Sequence, residues 1–131
     1  MADEVTGGCL CGGVRVAARG EPYRVGLCHC LDCRKHTGAP FGGSAIFPDG
    51  AVTVTGETRA YGSRHFCPAC GSSLFYRTDD EIELCLGTFD APDTFAPTYE
   101  LWTVRREGWL PPFSLAHHYA HDREGEGRRE D

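Results

Sequence analysis

The chain has 131 residues, of which 40% are hydrophobic and 24% charged, with 17 glycines and 8 prolines. This length suits one domain with a modest core, and the glycine and proline content favours turns over long helices. The net charge of −6 argues against a nucleic-acid or anionic-membrane partner. A small anionic ligand is compatible with it, since that needs only a local cationic patch.

The N-terminal residues are acidic, and no apolar stretch of signal-peptide or transmembrane length follows them. We therefore expect a cytoplasmic protein without membrane contact. Thiols stay reduced in the cytoplasm, so metal binding explains the 8 cysteines better than a disulfide scaffold does.

The predicted elements are short strands separated by Gly, Pro and Asp turns, which indicates an all-β domain. We expect a lead-in over residues 1–6, one domain over residues 7–120, and a disordered, charged tail over residues 121–131. One helical turn is predicted over residues 31–37. The predicted strands cover residues 14–18, 23–28, 41–47, 51–55, 58–62, 73–77, 81–86 and 99–104.

Two short cysteine pairs lie far apart in the chain. They are Cys9 with Cys11, set between glycines, and Cys67 with Cys70; we call these four the outer cysteines. Four thiolates close a tetrahedral zinc, so they predict one structural zinc site. A redox pair at Cys67 and Cys70 is disfavoured, because such a pair needs a strand-then-helix context and here a glycine and a strand follow.

Three further thiols are crowded between the outer pairs: Cys28, Cys30 and Cys33, which we call the central cysteines. Three thiolates leave one position of a tetrahedral zinc open for water or a substrate atom, so an open site is predicted. The alternative is a closed site completed by His29, His36 or Asp32. In an extended run the side chain of His29 would point away from both neighbouring sulfurs.

Other polar residues near these motifs allow more than one interpretation. Arg34 and Lys35 follow the central cysteines directly and are candidates for holding a carboxylate of an anionic ligand, although they could equally be a solvated basic pair. Cys85 is expected to be an inert strand residue. His117, His118 and His121 are expected to be solvated.

Three motifs occur in one order: Gly7–Gly12, Cys28–Arg34 and Phe66–Gly71. Together they resemble the glutathione-dependent formaldehyde-activating enzyme family, to which the centromere protein V domain also belongs. The resemblance covers roughly residues 5–113. It implies a β-tent fold of small antiparallel sheets held by zinc knuckles. It also implies two zinc ions per chain, one on the outer and one on the central cysteines, the second partly occupied.

The family's name-giving activity joins glutathione to formaldehyde as S-(hydroxymethyl)glutathione. The resemblance therefore implies a carbon–sulfur lyase acting on a small thiol and an aldehyde, with Cys28, Cys30 and Cys33 as its catalytic zinc site. Where many members carry a histidine ahead of a late tryptophan, this chain has Glu100 before Trp102.

A zinc-stabilised binding module without chemistry is the alternative function, as the resemblance to the centromere domain permits. A basic extension would favour it, and the tail of this chain is mixed in charge. Either function is compatible with a homodimer.

Overall fold

The structure, a computed structural model, describes residues 4–125 and 127–130. It is built mainly of strands. The strands are β1 (Glu4–Gly8), β2 (Arg15–Arg19), β3 (Arg24–Cys28), β4 (Gly42–Pro48), β5 (Val52–Thr55), β6 (Arg59–Tyr61), β7 (Arg64–Phe66), β8 (Ser73–Arg77), β9 (Glu81–Cys85), β10 (Tyr99–Leu101) and β11 (His117–His118). The helix α1 spans Leu31–Thr37. The all-β prediction is confirmed.

A small antiparallel sheet has the order β1-β2-β5. Its inner face follows the period of two that the sequence of β2 shows, because alternate side chains of a strand point to opposite faces. Val16 and Ala18 of β2 are buried on that face, next to Val52 of β5. The outward-facing ends of β2, Arg15 and Arg19, are exposed.

A larger sheet has the order β11-β10-β3-β4-β9-β8-β7-β6. Most neighbours in it are antiparallel, as expected, but β10 runs parallel to both β3 and β11. A parallel neighbour needs a long connection, and the segment from β9 to β10 supplies one. This pairing places Glu100 beside Leu27, directly before the central cysteines.

The core lies between the two sheets. Phe47 of β4 and Phe75 of β8 are fully buried in it, and Phe95 packs edge-on against Phe47 at 5.8 Å between ring centroids. The remaining buried apolar residues of this core include Val14, Ala45, Leu74, Ile82, Leu84 and Phe89. Each buried valine, leucine, isoleucine or phenylalanine side chain contributes about 1.5–3 kcal/mol by leaving water.

The predicted elements agree closely with the observed ones around the central cysteines. The helix has the predicted bounds and ends where Gly38 N–H donates to the Arg34 carbonyl at 2.8 Å. The strand predicted over residues 99–104 stops at Leu101, because Trp102 adopts φ 56° and a 3-10 turn follows. Strands β1, β7 and β11 were not predicted; β7 and β11 have only three and two residues.

Described residues at both ends of the chain make defined contacts. Residues 4–6 of the expected lead-in belong to β1, since they pair with β2, and residues 1–3 lie outside the described part. Where a disordered tail was expected, Arg128 pairs with Asp80 and, at 2.8 Å, with Glu81, and it lies over the Tyr23 ring. Residues 126 and 131 are not described, and the domain boundary at residue 120 stays a prediction.

In the described part of the chain, every helix is too short or too polar to cross a membrane.

Candidate functional site

The outer cysteines converge from two loops, one in each sheet region. Cys9 and Cys11 lie between β1 and β2, whereas Cys67 and Cys70 lie between β7 and β8. All four Sγ atoms are within 4.8 Å of one another, with Cys9 and Cys11 at 3.5 Å and Cys11 and Cys67 at 3.8 Å. The group therefore joins the small sheet to the large one, and its geometry could hold a metal ion.

The two loops turn in the same way. Gly12 and Gly71 follow the last cysteine of their pairs, and both have φ 80°, a backbone conformation that favours glycine. The Gly12 N–H donates to the Cys9 carbonyl at 3.1 Å, and the Gly71 N–H donates to the Cys67 carbonyl at 2.8 Å. These hydrogen bonds close each loop, and the four sulfurs converge.

Backbone and hydroxyl groups stabilise negative charge on these sulfurs. The Val14 N–H donates to the Cys9 Sγ at 3.2 Å. Hydrogen bonding to Ser72, whose hydroxyl lies 3.2 Å from the Cys70 Sγ, lowers the pKa of Cys70 to about 5. The Cys11 pKa is raised to about 11, since the neighbouring thiols outweigh the Gly13 N–H that lowers it. A divalent cation would let all four ionise together.

The central cysteines come from one continuous stretch. Cys28 ends β3, Cys30 is the N-cap residue of α1, and Cys33 lies in the first turn of that helix. Their Sγ atoms are all within 4.8 Å of one another. The Cys30 Sγ also accepts the Cys33 N–H at 3.3 Å, which caps the helix through a ligand atom.

No histidine or carboxylate of the described residues joins the central cysteines as a fourth member of that ligand group. His29 points away, as expected, and its Nε2 lies 2.7 Å from Glu100 Oε1. The His36 ring packs edge-on against Tyr76, and Asp32 lines a separate groove. The structure thus brings the three thiols together; their catalytic role stays a prediction.

A buried polar network lies behind the central cysteines. His29 and Glu100 are both 0% exposed. Glu100 Oε2 lies 2.5 Å from Nδ1 of His118, which had been expected to be solvated and is partly exposed, and 3.7 Å from Arg106. The network fixes the Cys28–Cys30 segment against β10. The sequence signal for this network was Glu100 before Trp102, where many members of the resembled family carry a histidine.

The central cysteines line a cleft of about 250 Å³. Arg64 of β7 and Tyr76 of β8 line the same cleft, and the Tyr76 hydroxyl donates to Cys33 Sγ at 3.9 Å. The Arg64 guanidinium lies over the Tyr76 ring, 4.6 Å from its centroid. Sequence reasoning missed both residues, because it is the pairing of Arg64 with Tyr76 across β7 and β8 that brings them here.

The three central thiols differ in the direction of their pKa shifts. Hydrogen bonding from Cys28, with smaller contributions from Cys30 and Arg64, overcomes burial and lowers the pKa of Cys33 to about 5. The pKa of Cys28 is raised by Cys33 and by burial, and burial raises the pKa of Cys30. Without a cation the group therefore favours one thiolate, and a divalent cation would favour three.

The two residues predicted from the sequence to bind a substrate carboxylate, Arg34 and Lys35, lie apart from this cleft. The guanidinium of Arg34 donates to Glu107 at 2.7 Å. Lys35 lines a neighbouring groove that Arg64 also borders, and neither Arg34 nor Lys35 lines the cleft itself. Cys85 is 8% exposed and belongs to neither thiol group; burial raises its pKa to about 12, so it stays a neutral thiol.

Comparisons with known proteins agree with this geometry. Residues 4–105 match the family described as "Glutathione-dependent formaldehyde-activating enzyme". An uncharacterized lyase of Schizosaccharomyces pombe is 30% identical over 78 residues, which are 56% of this chain and 57% of that protein. The chain thus spans little more than half the length of this curated relative.

A crystal structure of a Rhodobacter sphaeroides protein shares the fold. It superposes with a TM-score of 0.50 and 19% sequence identity, over 68% of this chain and 91% of that one. At this identity the likeness concerns the fold alone.

Proposed function

The chain belongs to the glutathione-dependent formaldehyde-activating enzyme family, and we propose that it is a carbon–sulfur lyase that joins a small thiol, such as glutathione, to formaldehyde or a similar aldehyde. One observation carries the proposal: the three central thiols converge on the wall of a cleft, and no histidine or carboxylate of the described residues joins them as a fourth ligand. A site built only for stability would be closed by a fourth protein ligand.

The metal in both groups is proposed to be zinc, two ions per chain, with the second partly occupied. Thiolates are the donors that select zinc among the common divalent cations, and sulfurs within 4.8 Å of one another suit a tetrahedral ion. Cys9, Cys11, Cys67 and Cys70 would hold the structural ion. Cys28, Cys30 and Cys33 would hold the second.

A zinc ion at the central cysteines would supply acidity, bringing the pKa of a substrate thiol close to neutrality. The balanced reaction is the addition of the thiol sulfur to the aldehyde carbon. The carbon–sulfur bond forms, the π electrons of the carbonyl move to its oxygen, and that oxygen takes up the proton that the thiol gave up.

The protein's own groups orient the reactants in the cleft. The Tyr76 hydroxyl lies 3.9 Å from Cys33 Sγ, and burial raises its pKa, so it stays protonated. Its one proton would turn from the Cys33 sulfur to the developing oxyanion. The aromatic walls formed by Tyr99 and Trp102 restrict water near the reacting atoms.

The rate with protein must be compared with the spontaneous rate, because thiols add to formaldehyde without a catalyst. We would measure the exchange rate between ¹³C-formaldehyde and its glutathione adduct by NMR, with and without protein. Wild type and Cys85→Ser are expected to accelerate exchange, whereas Cys30→Ser is expected to leave it at the spontaneous rate. Equal exchange with wild type and Cys30→Ser would contradict the proposal and favour the zinc-stabilised binding module.

A further inference from the structure

We propose that Arg64 binds a carboxylate of the substrate thiol, so that the site selects anionic thiols over neutral ones. The inference rests on the proposed function, since it assigns the substrate class of the same cleft. Arg64 lines the cleft, whereas Arg34 and Lys35 are close to the central cysteines in sequence but do not line it.

The first observation is the position of Arg64. Its side chain lies beside Cys33 and over the Tyr76 ring, so it is fixed at one end of the cleft that holds the central cysteines. The same residue borders a second, open groove of about 750 Å³, which Lys35 and Tyr61 also line. A ligand with its sulfur at the central cysteines would meet Arg64 on passing from the cleft into the groove.

The second observation is the lack of a carboxylate partner. Arg24, Arg34 and Arg77 each pair with a glutamate or aspartate within 3.0 Å. In the described part of the chain, Arg64 has no such ion pair, and its buried Nη1 has no hydrogen-bond partner. A buried, unpaired guanidinium nitrogen is a donor that a ligand carboxylate would satisfy.

Two carboxylates also line the cleft, and among the described residues neither forms an ion pair with Arg64. Asp122 accepts the Trp102 indole N–H at 3.0 Å. Glu83 accepts the Ser44 hydroxyl at 3.5 Å, and burial raises its pKa. Arg64 already interacts with the Cys33 sulfur, and the donor that still lacks a hydrogen-bond partner is its Nη1.

The third observation is size. A cleft of about 250 Å³ is smaller than the ~300–1,000 Å³ of sites that enclose whole drug-sized ligands. It takes the sulfur end of a thiol, and any larger remainder must continue past Arg64 into the groove beside Lys35. A thiol with a carboxylate a few bonds from its sulfur would place that carboxylate at Arg64. The planar guanidinium suits a two-point contact with it.

The test compares two small thiols of similar length in zinc-loaded protein. Calorimetry would give the affinities for 3-mercaptopropionate and for uncharged 2-mercaptoethanol. Wild type is expected to prefer the carboxylate by about tenfold or more, the range of a charge-assisted hydrogen bond. Arg64→Gln is expected to lose this preference; because both affinities are measured on the same zinc-loaded variant, their ratio separates the lost preference from any general weakening of thiol binding. Arg64→Lys should retain part of the preference, because the charge stays and the fork geometry is lost.

Arg59→Gln is the matched control, since Arg59 is an exposed arginine on the neighbouring strand β6 and its loss changes the net charge equally. It should keep the full preference. Equal affinity of wild type for both thiols, or an undiminished preference in folded Arg64→Gln or Arg64→Lys, would overturn the inference alone. Binding of neither thiol by zinc-loaded wild type would overturn the proposed function itself.

Discussion

The two thiol groups look alike as ligand sets but differ in how the chain brings them together. The outer cysteines belong to loops in different sheets, and the contact between Cys11 and Cys67 spans 56 residues. The central cysteines lie within the six residues Cys28–Cys33, between the end of β3 and the first turn of α1. The outer group is formed by a tertiary contact, and the central group is formed within one local segment.

This difference separates stability from chemistry. Ordering a long-range contact costs more chain entropy than ordering a local loop, so a metal in the outer group stabilises the packing of one sheet on the other. The central group is set by local structure and by the buried pair of His29 with Glu100 behind it, and its three cysteines line a cleft. The outer cysteines should therefore govern folding, and the central ones ligand binding.

The largest effect is expected from Cys67→Ser. Structural zinc contributes on the order of 10 kcal/mol or more, which exceeds the usual stability of a domain of this size. The variant should be insoluble or unfolded, as judged by yield of soluble protein and by circular dichroism. Cys30→Ser is the matched control and should remain folded, with one zinc fewer. A soluble, native-like Cys67→Ser would show that the outer group does not hold the sheets together.

A smaller effect is expected from Glu100→Gln. The fully buried carboxylate bonds His29 and His118, and the neutral amide can replace only part of these contacts. We expect a loss of about 2 kcal/mol in the free energy of unfolding, together with weaker thiol binding and an intact outer metal site. Denaturant unfolding and metal content measure these effects.

Glu107→Gln supplies the control for that variant, because it breaks the more exposed ion pair with Arg34. Such pairs contribute about 0–1 kcal/mol. If Glu100→Gln were no more destabilising than Glu107→Gln, the buried network would not be what holds the central segment.

Mild chelation should separate the two groups without mutation. The central group has three protein ligands and an accessible cleft, so its ion should leave first. Titration with a chelator should remove about one zinc per chain with little change in circular dichroism, and the second only with unfolding. Loss of both ions in one step, coincident with unfolding, would mean that the groups are not distinct in stability.

The smallest effect on the metal sites is expected from Cys85→Ser. This thiol is buried and neutral, and it belongs to neither group. Burying a hydroxyl in its place costs about 1–3 kcal/mol by protein mutational data, and metal content should not change. Thermal unfolding and elemental analysis check both points. A loss of zinc would mean that Cys85 supports one of the metal sites.

The sequence was sufficient for the thiol groups because ligand spacing is a local property. Cysteines two or three residues apart reach one ion whatever the surrounding fold. The end of the helix over residues 31–37 was predicted from the glycine and proline that follow it. The joining of Cys9 and Cys11 to Cys67 and Cys70 followed from the need for four ligands. The structure confirms that these sulfurs meet.

The cleft could not be predicted, because its other walls come from strand pairing. Tyr76 is 43 residues from Cys33 in the chain and Arg64 is 31, and both meet it only through the pairing of β7 with β8. Arg34 and Lys35 were chosen for proximity in sequence, yet helical geometry carries Arg34 to Glu107 instead. Similarly, the parallel pairing of β10 with β3, which buries Glu100, has no short-range signal.

The most direct test of the account is a calorimetric titration of glutathione into wild type and Cys30→Ser, with zinc counted in the same samples. The account predicts two zinc ions and thiol binding for wild type. For Cys30→Ser it predicts a folded protein with one zinc and no thiol binding. Equal binding by both proteins, or unfolding of Cys30→Ser, would contradict it, because the central cysteines would then serve the fold and not the substrate.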